Sequence, residues 1–462
     1  MSEMKTKIVI YFLVCLLFFS TVTFSSKLIS GSIDEHTHVT LEFNFKADSA
    51  YEVTDCDDMY QVINMNGFDN QFIPGNPLLP YKSFKILVHP DIIWDSINIQ
   101  ITDKKMDLID GGYEIKPAGP IYAEGSDEPY WGEGKEIVDG KNIDVYNKDQ
   151  IYPEESISNH KSSQMRKWKF FTIDFYPFQY NPVTEKIYHT KQMKIKCSYD
   201  RTGNGLDEKF AADHVMDDIA SELFFNYEMG NNWYIEKSSS LQSIYNYVII
   251  TTNAIQSNSN KLNNFIVHKQ NIGNSVLLIT EDEYGSLNGQ APNGLSEKIR
   301  QWLIDNYVGY GIEYVLLIGD PDPDDPSTHA DSIGDVPMKM CWPRFGSDSN
   351  SEYNETPTDY FYADLTGNWN IDADSYFGEH DDDYGVPGGV DLTPEVLVGR
   401  IPVYDNDYSS LDSILQKIID YENDIENDSW RNKVLLPMSY SNAGGDSGEV
   451  GDSIKDFLLD PQ

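Results

Sequence analysis

The sequence predicts two domains of different class. A β-rich, sandwich-like domain over residues 27–205 is followed by a mainly parallel, doubly wound α/β domain over residues 245–462, with a helical and linker segment over residues 206–244 between them. Three observations carry this. Short β-type runs separated by turn signals fill the chain from about Lys27 to Arg201, with almost no helical periodicity. Beyond Tyr245, continuous apolar strands alternate with helical stretches, as in a parallel sheet covered on both faces. And 462 residues exceed the roughly 250–300 at which a single core stops growing.

The N-terminus carries Lys5 and Lys7, then an unbroken apolar run from Ile8 to Phe19, then small and hydroxylated residues through Ser26. These are the three regions of a secretory signal peptide, so residues 1–26 are expected to be a leader and the mature protein to be secreted, extracellular or at the cell surface. The run is shorter than the roughly 20 residues a bilayer span needs, and no later segment is long and apolar enough. No membrane span is expected in the mature chain.

In the first domain the β-type runs are VTLEFNF (Val39–Phe45), SFKILV (Ser83–Val88), WKFFTIDFYPF (Trp168–Phe178) and MKIKCSY (Met193–Tyr199). The stretch QYNPVTEKIYHT (Gln179–Thr190) places a Pro-containing turn between apolar runs and predicts a hairpin. Gly111–Glu155, rich in Gly, Asp, Glu and Pro, predicts a long surface loop with little structure of its own. Cys15 leaves with the leader, and the remaining Cys56, Cys197 and Cys341 do not make a disulfide scaffold. Cys56 and Cys197 share this domain and would be able to pair in an oxidising compartment, leaving Cys341 single.

Residues Asp207–Phe225 include ADHVMDDIASELFF, with apolar residues at near-helical spacing, and Ser238–Ser240 form a small polar linker beside Lys237. The domain boundary is placed there, and proteolytic cleavage near Lys237 is expected from exposure and composition.

In the second domain YVIITT (Tyr247–Thr252), SVLLIT (Ser275–Thr280), YVLLIG (Tyr314–Gly319), EVLVG (Glu395–Gly399) and VLLPM (Val434–Met438) predict buried strands. Helices are predicted around Leu262, Phe265, Ile266 and His268, around Leu295, Ile299, Trp302 and Leu303, around Leu411, Ile414, Leu415, Ile418 and Ile419, and from IKDFLL (Ile454–Leu459). Ligands of such sheets bind at the carboxyl ends of the strands, so Asp320, the Asp-rich insertion after it and Ser439–Asp452 are expected on one face.

The formal net charge of −41 repels phosphate backbones and anionic lipid, which excludes nucleic acid as a partner. An acidic extracellular chain rich in Asp, Asn and Gly suits calcium, a hard cation that prefers oxygen ligands. The run NWNIDADSYFGEHDDD places Asn370, Asp372 and Asp374 at alternate positions, followed by Glu379 and Asp381–Asp383. It resembles the start of a calcium loop but has Ser375 where an EF-hand needs Gly; a solvated acidic loop is the competing reading.

A nucleophile and base require a Cys or Ser beside an oriented His. Cys341, in KMCWPR, has no Gly-rich turn or helix N-terminus to lower its pKa and reads as a free buried thiol. His268, His329 and His380 read as surface or structural residues, and there is no HExxH, phosphate-binding Gly-Lys loop or GxSxG elbow. No catalytic residue is therefore assigned. Pairs of carboxylates suit a glycosidase, but among 75 acids they arise by chance.

Two sets of residues resemble the gingipain-type cysteine peptidases. GNPLLPYKSFKILVHP (Gly75–Pro90) and PFQYNPVTEKIYHTKQMKIKCSYD (Pro177–Asp200) are similar to that family's prosegment. YVLLIGD (Tyr314–Asp320), DVP (Asp335–Pro337), PTDYFYADL (Pro357–Leu365), DLTPEVLVGRIPV (Asp391–Val403) and IIDYE (Ile418–Glu422) are similar, in order and spacing, to its first catalytic subdomain. The resemblance implies a β-rich prosegment that caps the enzyme until cleaved, then a caspase-like α/β fold. It implies a nucleophilic Cys and a Gly-His-Gly histidine further along than this sequence reaches, so the caspase-like domain is expected to be incomplete. It also implies that an acid in Ser441–Asp452, Asp452 or Glu449, would pair with a substrate Arg. Asp320 and the Asn370–Glu379 loop would be calcium ligands, with no organic cofactor.

The expected function is that of a secreted zymogen of a cysteine endopeptidase acting on protein or peptide substrates, with the prosegment as its intramolecular partner. The rivals are a non-catalytic secreted binding or adhesion protein on the same domains, and a calcium-dependent carbohydrate-active protein.

Overall fold

The structure, a computed structural model, describes residues 27–34, 38–56, 59–122, 129–132, 134–158, 161–234, 244–323, 333–343, 356–374, 376–379 and 382–424. The expected signal peptide, the strand Val434–Met438, the helix Ile454–Leu459, His329, His380, Glu449 and Asp452 lie outside these residues. The chain divides into two compact units: one of residues 1–163, 167–211 and 217–236, the other of Gln164–Arg166, Ala212–Met216 and residues 237–462.

The first unit is built on two antiparallel ladders. In one, the long strand Lys186–Arg201 pairs with His38–Lys46 and with Ile92–Ile109, and His38–Lys46 pairs in turn with Lys27–Asp34. In the other, Trp168–Phe175 pairs with Pro80–Leu87. The strand His38–Lys46 alternates buried and half-buried residues, so Val39, Leu41, Phe43 and Phe45 line one face and meet Phe84, Ile86, Ile173 and Phe175 in one core. The Phe45 and Phe84 rings lie 4.6 Å apart. The expected hairpin forms, with Phe178↔His189 through Asn181↔Lys186 in register. The short helices Asp217–Leu223 and Tyr227–Gly230 belong to this unit too, and the Phe225 ring between them stacks 5.5 Å from Phe45.

The stretch Gly111–Glu155 is more structured than its composition predicts. Ile137–Val138 pairs with Lys141–Asn142, a helical turn spans Ile143–Tyr146, and the buried Tyr146 hydroxyl donates to the Ile115 carbonyl at 2.7 Å. Ile115 and Ala118 are fully buried. A few apolar anchors outweigh an abundance of turn residues. No disulfide joins Cys56 and Cys197, so the expected pair is not formed.

In the second unit strands β1 (Tyr247–Ile250), β2 (Val276–Ile279), β3 (Tyr314–Gly319) and β4 (Leu397–Pro402) form one sheet in the order β2-β1-β3-β4. Every pairing is parallel. Five consecutive residues of β3 are buried, the mark of a sheet covered on both faces. On one face Ile249, Leu316, Ile318 and Ile401 pack with Leu262 and Phe265 of helix α1 (Leu262–Asn271) and with Leu411 and Leu415 of helix α3 (Tyr408–Asn423). Helix α2 (Leu295–Tyr310), which buries Ile299, Trp302 and Leu303, ends on Gly311 at φ 67°, a left-handed cap that glycine adopts without strain. The β-rich class and the parallel α/β class are both present.

Candidate functional site

The order β2-β1-β3-β4 reverses direction between β1 and β3, and ligands of such sheets bind outside the carboxyl ends at that switch point. Thr251 and Thr252 follow β1 and Asp320 follows β3. Thr252 caps the next helix by accepting from the Ile255 N–H at 3.2 Å, and the buried Thr251 Oγ1 has no hydrogen-bond partner. The Asp320 N–H donates to Asp335 Oδ1 at 2.7 Å. Burial, with the charges of Asp320 and Glu281 adding, holds the Asp335 carboxyl above its usual range.

The motifs that read singly in the sequence meet here. Arg400 of β4 donates through Nε and Nη2 to both carboxylate oxygens of Asp359, at 2.8 and 2.7 Å, and through Nη1 to the Val336 carbonyl at 2.6 Å. The Tyr362 hydroxyl donates to the Pro337 carbonyl. One planar guanidinium thus joins strand β4 to the DVP and PTDYF segments, a bidentate geometry that lysine cannot supply.

No thiol–imidazole pair forms among the described residues of this unit. Cys341, the one cysteine here, is buried in the ladder Lys339–Cys341 with Thr356–Thr358, and its Sγ donates to the Thr356 carbonyl at 3.1 Å. Burial pushes the thiol up to about 11, the reverse of what a nucleophile needs. His268 Nε2 lies 2.7 Å from Glu422 Oε2, and Lys269 Nζ donates to the other Glu422 oxygen at 2.6 Å. Cys341 and His268 are thus each engaged within the fold, the first with a carbonyl and the second with a carboxylate.

A buried polar cluster lies among the same motifs. Glu395 is fully buried and accepts from the Leu365 N–H at 2.6 Å and the Thr366 hydroxyl at 3.0 Å. Asp364 accepts from the Gly367 N–H at 2.8 Å, and a Cβ on Gly367 would lie 2.5 Å from Asp364 Oδ2. Arg300 of α2 donates to the carbonyls of Phe361, Asp364 and Gly367. Burial, then the charge of Asp364, pushes Asp391 up to about 7, and burial raises Glu395 well above the ordinary range. Arg166 completes the cluster: its Nε donates to Asp213, and its Nη atoms donate to the carbonyls of Tyr307, Ile312 and Glu395. Sequence reasoning assigned no role to this cluster: Asp364, Asp391 and Glu395 lie within the ordered motifs, but Arg166 stands 229 residues from Glu395 and only the fold brings it to them.

Of the expected calcium ligands, the structure brings Asp372 and Glu379 together with Asp382, with oxygens within 4.8 Å of one another. Asp374 uses Oδ1 to accept from the Tyr376 N–H at 2.6 Å. Asn370 Nδ2 donates to the Asp374 carbonyl at 2.9 Å, which leaves the buried Asn370 Oδ1 without a partner. Glu379 Oε2 is also buried and unpartnered, and burial followed by the charges of Asp374, Asp383, Asp372 and Asp382 pushes Glu379 up to about 7. Orphaned oxygens beside mutually repelling carboxylates fit a hard cation. Asp320 stands apart, at the carboxyl end of β3.

A β-rich unit thus precedes a parallel α/β unit whose motifs converge at the strand ends. The model of the propeptide of peptidase family C25 matches residues 27–234, and that of peptidase family C25 matches residues 240–458. The chain belongs to this family, the gingipain-type cysteine peptidases. Among solved structures, the complex of Porphyromonas gingivalis RgpB pro- and mature domains matches at 20% identity and a TM-score of 0.32, over 44% of this chain and 96% of that one. A structure on the zymogenic latency of gingipain K from the same organism matches at 13% identity and a TM-score of 0.29, over 39% of this chain and 95% of that one. No curated protein matches.

Proposed function

We propose that the chain is the zymogen of a secreted gingipain-type cysteine endopeptidase that hydrolyses peptide bonds by thiolate attack with histidine as general base and acid. The observation that carries the reading is the succession of the two family matches, propeptide over 27–234 and peptidase over 240–458. Secretion is supported by the leader-type sequence before Lys27. Neither Cys341 nor His268 holds a catalytic role in this reading, since burial disfavours the thiolate of the first and Glu422 engages the second. Glu449 or Asp452 is proposed as the acid that pairs with a basic substrate side chain.

Calcium is proposed at Asp372, Glu379 and Asp382, where it would neutralise the repulsion among the three carboxylates and hold the Asn370–Asp383 loop. The test is hydrolysis, by the protein encoded when the gene is read in frame past the codon for Gln462, of a panel of fluorogenic peptides carrying a basic or apolar residue before the scissile bond, before and after proteolytic cleavage in the linker. Thiol-sensitive hydrolysis that persists in C341A supports the zymogen. Glycoside hydrolysis insensitive to thiol blockers contradicts it.

A further inference from the structure

Within the first unit, the stretch Phe224–Tyr234 is docked along the end of the strand Pro80–Leu87. The Phe225 N–H donates to the Lys85 carbonyl at 2.9 Å. Asn226 then pairs with Leu87 as a neighbouring strand would: its Oδ1 accepts from the Leu87 N–H at 2.8 Å and its Nδ2 donates to the Leu87 carbonyl at 3.1 Å. The Tyr234 hydroxyl donates to the Val88 carbonyl at 2.6 Å and accepts from the Lys169 N–H at 3.0 Å. His89 is next along this strip, and the Trp233 indole lies stacked on its ring, with centroids 4.0 Å and planes 20° apart. His89 is 3 % exposed. Its hydrogen bonds require a neutral ring. The buried Tyr199 hydroxyl accepts from the His89 N–H at 3.2 Å and lies 2.8 Å from His89 Nδ1, so its own hydrogen has an acceptor only while Nδ1 is bare. A proton on Nδ1 would make that nitrogen a donor and strand the hydroxyl hydrogen in the interior.

We propose that His89 is an acid-operated latch: neutral, it holds Phe224–Tyr234 on the strand end, and its protonation releases Trp233 and frees this stretch, next to the linker, for cleavage. The charged neighbours favour the neutral ring. Arg201 of the strand Lys186–Arg201 repels an imidazolium, and Asp91, which would attract one, is engaged by Arg201 at 2.8 Å and by the Gly205 N–H at 3.1 Å. Lys169 of the strand Trp168–Phe175 acts on Asp91 as well, whereas Trp233 and Tyr234 bring no charge. Burial first, then the charge of Arg201, pushes the imidazole down to about 4. The attraction of a cationic ring for an indole face offsets only part of this. The latched state thus binds the proton less tightly than the open one, where the ring keeps its ordinary 6.5. Latching is fully present above about pH 6.5 and weakens as the pH falls towards 4, by which point the opening equilibrium has grown on the order of a hundredfold.

The consequence for cleavage rests on the propeptide–peptidase reading; the latch does not. Hydrogen exchange of the full chain at pH 7.5 and 4.5, corrected for intrinsic exchange rates, tests it. The Phe225 and Leu87 amides report the docked stretch, and the Leu41 and Phe43 amides of the strand His38–Lys46 report the core of the unit. At pH 4.5 the protection of Phe225 and Leu87 is expected to fall at least tenfold while that of Leu41 and Phe43 holds, and in H89Q the fall is expected to be less than twofold. If H89Q does not fold, H89F, which keeps a ring beneath Trp233 and cannot be protonated, gives the same reading. Protection that does not change with pH, a fall shared by Leu41 and Phe43, or an equal fall in the variant overturns the latch. An added endopeptidase active at both pH values is expected to cut between Tyr234 and Ile244 faster at pH 4.5 in the wild type than in the variant. Equal rates alongside an opened latch would overturn the consequence for the zymogen and leave the latch standing.

Discussion

A thiol that is 5 % exposed and gives its hydrogen to a backbone carbonyl is protected twice, by sterics and by the energy of making its anion. Cys341 is therefore expected to react with a disulfide reagent such as DTNB at pH 8 only as fast as the protein unfolds, and Cys197, pushed up to about 12 by burial, likewise. Half-buried Cys56 reacts first. Prompt modification of Cys341 in the folded chain would contradict this. Asp391 supplies a pH test. Its folded-state carboxyl sits near 7 against an ordinary 3.8, so the folded chain binds the proton more tightly than the unfolded one. That contribution to stability is fully present below about pH 4 and is lost as the pH rises through 7. In D391N the fall in Tm between pH 5.5 and 8 should shrink by a few degrees relative to wild type; an equal fall would contradict the assignment. At this scale the sequence was partly legible. The bland readings of Cys341 and His268 follow from their neighbours, whereas Arg166 and Glu395 stand 229 residues apart and only the fold unites them.

Elements are tied together by buried charge as well as by apolar packing. Lys339 Nζ lies 2.5 Å from Glu297 Oε1 with both side chains fully buried, and 3.9 Å from the centre of the Phe377 ring. This joins the first turn of α2 to the Lys339–Cys341 strand. Lys339→Ala strands the Glu297 charge and should cost about 3–5 kcal/mol, while replacing both residues with apolar ones recovers most of it; denaturant unfolding of the single and double variants measures this. The acidic loop makes a second prediction. Millimolar calcium should raise the Tm of the wild type and have at most a marginal effect on E379Q or D372N, with magnesium weaker because it demands a tighter octahedral shell. An equal calcium response in all three would remove the site. Strands β1, β2 and β3 were legible because continuous apolar runs of four to six residues have few other fates; β4, expected over Glu395–Gly399, runs instead over Leu397–Pro402, because Glu395 is drawn into the buried polar cluster and Arg400 sits within the strand. The order β2-β1-β3-β4 was not legible, since it depends on crossover packing rather than on any one run. The Asn370–Glu379 loop was half legible: its acids are local, but which of them point together depends on the bonds that occupy Asp374 and Asn370.

For the whole molecule, the change from period-2 strands to apolar strands alternating with helices placed the two classes of structure in the right order, and the ordered motifs gave the family. What composition did not reveal is that residues 164–166 and 212–216, far upstream of the peptidase match, belong to the same compact unit as that match. Burial of Arg166 with Asp213 accounts for it, since a buried guanidinium follows its acceptors wherever the chain carries them.

The central claim is that this is a cysteine-peptidase zymogen chain in which Cys341 is not the nucleophile. The most direct measurement treats the folded chain, before and after cleavage in the linker, with peptide chloromethyl ketones and locates any adduct by peptide mass spectrometry alongside hydrolysis of the matching fluorogenic peptide. The account predicts no adduct on Cys341 in either form; an adduct on Cys341 that abolishes peptide hydrolysis would contradict it.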